Sequence, residues 1–147
     1  MSESIAMKNA ALAAVAAGVG AVTGALGGWD AALQTLIFVM AIDCMTGVVV
    51  AGVFKCSSKS EQGRLDSRVG FRGICRKGAQ LGLVLIAVRL DAMTGEGQYA
   101  RMAMIIFFIG NEGLSVLENL GLMGVPYPKF LRDVLEALRE RGDGGPG

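Results

Sequence analysis

The sequence predicts an all-α integral membrane protein: about four transmembrane helices, N- and C-termini on the cytoplasmic side, and an amphipathic helix at the C-terminus. Three observations predict it. Of 147 residues, 52% are hydrophobic and only 18% charged, against about a quarter charged in a soluble domain, and mean hydropathy is +0.50. Several long stretches carry few or no charges, and half of the basic residues gather in one polar segment between two of them. The same composition removes whole classes of function. A net charge of +1 supplies no field for nucleic acid. With no histidine, the usual general base, zinc ligand and Ser-His or Cys-His nucleophile are missing. Cys44, Cys56 and Cys75 show neither CxxC nor another metal-ligand spacing, so no metal, cofactor or disulfide framework is expected.

The first span, residues 9–29, reads "NAALAAVAAGVGAVTGALGGW" and is uncharged and long enough to cross roughly 30 Å of hydrocarbon. Its apolarity is feeble. Leu12, Val15, Val19, Val22 and Leu26 together contribute only about 1.5–3 kcal/mol toward insertion. Gly20, Gly24 and Gly28 form a small-residue strip suited to helix packing in lipid. A cleaved signal peptide is the alternative reading of this segment.

The second span, 31–54, contains "FVMAIDCMTGVVVAG", with Asp43 in mid-run and Thr46 and Gly47 just beyond it. Its eleven strongly apolar residues contribute about 3–7 kcal/mol toward insertion, against roughly 3 for a central charged aspartate. The helix can carry its carboxylate. Residues 55–77 then read as a polar loop holding Arg64, Arg68, Arg72, Arg76 and Lys77 among its seven cations, which the positive-inside rule makes cytoplasmic and a candidate binder of anionic headgroups. The third run, 78–93, is about 24 Å long as a helix and spans only with snorkelling or local thinning; a re-entrant segment is the alternative.

The fourth run, 101–122, starts strongly apolar and then turns amphipathic. Asn111, Ser115, Glu118 and Asn119 fall at i, i+4, i+7 and i+8, a polar stripe with Glu112 beside it. Residues 1–127 thus form a membrane domain, and 128–147 an amphipathic helix with a Gly-rich disordered tail. That helix is either interfacial, in contact with another subunit, or solvated and weakly docked.

Asp43 and Glu112 lie about 18 and 16 Å below the outer ends of their helices, which levels the two acids in the bilayer. Neighbouring acids in low dielectric cannot both ionise cheaply, so one or both are expected to be protonated and to hydrogen-bond across helices with Thr46, Asn111 and Ser115.

"IDCMTG" at 42–47, "SRVGFRGICRK" at 67–77, "VRLD" ending at Asp91 and "NEGLSVLENLGLMGVPYPKFL" at 111–131 together resemble the phage lysis and toxin-secretion holin family, over about Ile37 to Leu138. Ile42, Cys44 and Met45 depart from the leucine and bulkier or aromatic residues that the family pattern sets beside its aspartate, and the segment before Ala31 matches nothing in it. The resemblance implies a small protein of the bacterial inner membrane that self-associates and opens lesions, releasing an endolysin or a toxin as cargo. It does not imply an enzyme. Two other functions compete: a small proton-coupled exporter, disfavoured by only four phenylalanines in the spans, and an antiholin-like regulator of a related pore former.

Overall fold

The structure, a computed structural model, describes residues 2–59, 62–63, 66–95 and 97–144. Among these there is no strand. Five helices follow in order: α1 (Ser2–Ala25), α2 (Ala31–Val49, continued by a π-helical turn at Val50–Phe54), α3 (Ser67–Thr94), α4 (Tyr99–Leu122) and α5 (Lys129–Gly142). Three segments among the described residues are long and apolar enough to cross a membrane: Glu3–Ala25, Ala31–Phe54 and Tyr99–Leu122. The third run of the sequence is not among them, since α3 joins it to a basic half.

Local chemistry sets the boundaries. α1 stops where Gly27 turns left-handed (φ 89°) and the N–H of Gly28 returns to the Thr23 carbonyl at 2.9 Å. Asp30 caps α2 by accepting from the Leu33 N–H at 2.9 Å, and Asp66 caps α3 through the Arg68 N–H at 2.8 Å. α4 borrows its cap: the Asp91 carboxylate, one turn before the end of α3, accepts from the N–H groups of Ala100 and Arg101, each at 2.8 Å. At its far end Gly124 (φ 75°) lets the Val125 N–H reach the Leu120 carbonyl at 2.9 Å, and Pro126 follows.

Packing centres on α4, against which α2, α3 and α5 all lie, while α2 and α3 meet only briefly. Leu33, Leu36 and Met40 of α2, Val84 of α3 and Ile105, Phe108 and Ile109 of α4 form the core, joined by Leu26. In lipid such contacts hold through close packing rather than through expulsion of water. Phe38, Val48 and Val53 on α2 and Leu83, Ile86 and Leu90 on α3 remain exposed and suit contact with acyl chains.

Two expectations change: the basic loop and the last glycine of the small-residue strip. α3 is one unbroken helix of 28 residues, about 42 Å long; it begins at Ser67, so Arg68, Arg72, Arg76 and Lys77 stand on a helix and not in a loop. Arg64 lies outside the described residues. Among the described residues α1 buries none of its apolar window, and an added methyl at Gly20 or Gly24 would meet nothing within 4 Å of its own chain. Gly28 (φ 105°) belongs to the turn after α1, so it extends no helical strip.

The amphipathic α5 doubles back along α4. An added methyl at Gly110 would meet the Arg139 nitrogen and Leu135 carbonyl at 2.6 Å, one at Gly113 would meet Leu135 at 2.6 Å, and one at Gly142 would meet the Ala103 carbonyl at 2.6 Å. Only hydrogen fits at Gly110 and Gly142, where backbone stands opposite; at Gly113 the neighbour is the Leu135 side chain. α5 therefore runs antiparallel to α4 and ends within about one turn of where α4 starts.

Candidate functional site: a buried ion cluster between three helices

Asp43 lies thirteen residues into α2 and Glu112 fourteen into α4, and both are buried, with 4% and 1% of their surface exposed. α2 and α4 start at the same end of the bundle, so the two carboxylates arrive level, about 20 Å along. Between them stands Lys77 of α3. Its ammonium donates to Asp43 Oδ2 at 2.9 Å and to Glu112 Oε2.

Neutral partners complete the cluster. Gln80, one turn on from Lys77, donates Nε2–H to Glu112 Oε1 at 2.8 Å. Asn119 Nδ2 donates to Asp43 Oδ1 at 3.2 Å and to Thr46 Oγ1 at 2.9 Å, while the Thr46 hydroxyl donates back to the Ile42 carbonyl at 2.9 Å. Lys59, from the turn after α2, donates to Ser115 Oγ at 3.0 Å and lies 3.7 Å from Asp43 Oδ1. Two anions thus face two cations. Gly47 faces Asn119, but a methyl there would stand at 3.8 Å, an ordinary contact.

The sequence sets the two acids against each other; the structure adds a cation between them. Here Lys77 supplies the positive charge, because the helix that bears it begins eleven residues earlier than the apolar run does.

The polar stripe of α4 divides between two faces. Glu112 and Asn119, seven residues apart, point inward to α2 and α3. Asn111, Ser115 and Glu118 instead line a cavity of about 340 Å³ closed on its other side by Arg132, Glu136 and Arg139 of α5. Glu112 and Lys59 border that cavity too, which gives water a route to the edge of the ion cluster. Arg68 and Arg72 are exposed on the first turns of α3 and touch neither acid.

A second buried charge sits at the other end of the bundle. Arg101, 1% exposed, donates Nε–H to the Leu26 carbonyl at 2.6 Å, one amino group to Asp30 Oδ2 at 2.6 Å and the other to the Gly28 carbonyl at 3.2 Å. The hydrogen bond from Arg101 holds the Asp30 carboxyl below the usual carboxylate range.

Lys59, Gln80 and Arg101 do not stand out in the sequence, and Lys77 stands out only as one of several loop cations. A signal for Lys77 and Gln80 exists: Asp66-Ser67 is an N-cap pattern, and starting the helix there sets Lys77 and Gln80 one turn apart.

Residues 20–140 match the bacteriophage holin family. The chain is 39% identical over 118 residues to an uncharacterised protein of Clostridium perfringens, covering 80% of this chain and 82% of that one. An uncharacterised protein of Listeria innocua shares 35% over 119 residues, 80% and 79% of the two chains. A protein of Bacillus phage phi105 named a probable holin is 32% identical over 111 residues, 76% of each chain. No solved structure matches. A match over that much of the chain settles its kinship: it belongs to the bacteriophage holin family.

Proposed function

We propose that this chain oligomerises in the bacterial inner membrane and opens lesions through which an endolysin, or a toxin, leaves the cytoplasm. Family membership supports the class of activity. The observation that carries the mechanism is the Asp43–Lys77–Glu112 cluster, which joins three helices and borders a polar cavity. In this reading α1 to α4 are four spans, with the N-terminus, Arg68, Arg72 and the turn between α4 and α5 on the cytoplasmic side.

Buried ion groups are poised between two arrangements. With water excluded, the two acids and their ammonium groups satisfy one another, and the charge balance holds only while all four groups stay together. Water entering past Asn111, Ser115 and Glu118 solvates each ion separately and removes the need for the helices to stay packed. The cluster is therefore a bistable element whose balance sets the moment of opening. Dry-packed copies accumulate, and wetting of the cluster spreads through them.

Expressing the chain beside an endolysin, with no other holin, tests the function. A holin halts growth abruptly and releases a large cytoplasmic enzyme when an endolysin is present. No release, with increased drug resistance or with delayed lysis by a co-expressed related holin, would overturn the proposal in favour of an exporter or an antagonist.

A further inference from the structure

Half of the fourteen residues of α5 are ionisable, yet the helix lies flush along α4, a segment long and apolar enough to cross a membrane. Contact is close at Gly110 and Gly142, where backbone stands opposite, and at Gly113 against the Leu135 side chain, so the docked geometry is specific and runs along α4 from Gly113 back to Ala103. The side of α5 turned away from α4 carries the Lys129–Asp133 ion pair (89% and 51% exposed) and the exposed Glu140, while the Arg132–Glu136 pair lies at its edge on the cavity. Hydrocarbon does not accept such a face, and charged side chains at membrane depth turn to a water-filled space or to one another. A docked α5 and a lipid-exposed α5 are therefore incompatible.

We infer that α5, docked on α4, forms the water-facing wall of the opened lesion. This rests on the lesion-opening reading above and adds to it which surface meets the water. The stripe of Asn111, Ser115 and Glu118 lies behind α5, against its Arg132, Glu136 and Arg139 side, and is an internal seam. The wall carries ionic groups of both signs in ion pairs, and so passes folded cargo of either net charge.

The test uses the full chain with Cys44, Cys56 and Cys75 replaced by serine, in lipid vesicles holding a trapped dextran. In one variant Gly113→Cys and Leu135→Cys, which are in contact, are joined as a disulfide to lock α5 on α4; the room left by Leu135 takes the new side chain. Release from the locked chain equal to that from the same chain reduced is the expected result, and release lost on locking and regained on reduction overturns the inference. In a second variant a nitroxide at Glu140→Cys reports its surroundings. Collision with a water-soluble nickel chelate, together with a rigid spectrum, supports the wall; collision chiefly with oxygen, as in lipid, or the free tumbling of an undocked helix, overturns it. If the unmodified chain releases no dextran, the lesion reading itself fails and the wall with it.

Discussion

Two buried charge networks occupy this bundle and differ in what satisfies them. At one end, Arg101 spends most of its donors on backbone carbonyls and on Asp30, which is itself a helix cap; Asp91 does the same with two backbone N–H groups. Those partners are fixed by the helices themselves. At mid-depth, Asp43, Glu112 and Lys77 depend on other side chains, one each from α2, α4 and α3. The first network is an anchor that ties the start of α4 to the turn between α1 and α2. The second comes apart when helices shift by a few ångströms, and a switch has to be built this way.

The largest expected effect follows from that contrast. Lys77→Met strands two buried carboxylates and should destabilise the chain in detergent by about 3–5 kcal/mol, the usual cost of removing one partner from a buried ion pair. Adding Asp43→Asn and Glu112→Gln should recover most of it. Thermal unfolding of the single and triple variants checks both statements. Arg101→Met should cost less, about 2–3 kcal/mol, the loss of hydrogen bonds to one charged group, because Asp30 is 42% exposed and can turn to water. It should leave the timing of lysis at equal accumulation unaltered; a changed onset would merge the two networks into one device.

A smaller effect separates the networks by pH. Asp30 has its folded pKa lowered by Arg101, so its contribution to stability is complete above the ordinary carboxylate range and fades as pH falls through the folded value. The unfolding midpoint in detergent should drop in acid, and Asp30→Asn should flatten part of that drop. Least of all is expected from Gly24→Ala on α1, which meets nothing within 4 Å: the bundle's unfolding temperature should not move, and a clear fall would mean that α1 packs on the same chain after all.

How much of this was legible in the sequence differs from residue to residue. The level placement of Asp43 and Glu112 could be counted, because both helices start at the same end and rise by the same increment. The conformation of residues 67–77 could not be read from hydropathy, since charge reports exposure and says little about helicity; the Asp66-Ser67 cap carried the information. The union of α4 with α5 was hidden for another reason. Gly110 and Gly113 look like any small residues of an apolar run, and Gly142, which completes the close approach, lies outside every local period that would pair it with them.

The central claim is that the mid-depth ions time the opening. It is tested most directly by the charge-free triple variant Asp43→Asn/Lys77→Met/Glu112→Gln, expressed to the level of the parent chain beside an endolysin, with the onset of release of a large cytoplasmic enzyme timed in each culture. A cluster without ions has nothing for water to solvate, so release should come late or not at all although the variant accumulates normally. Release at the parent's moment would contradict the account.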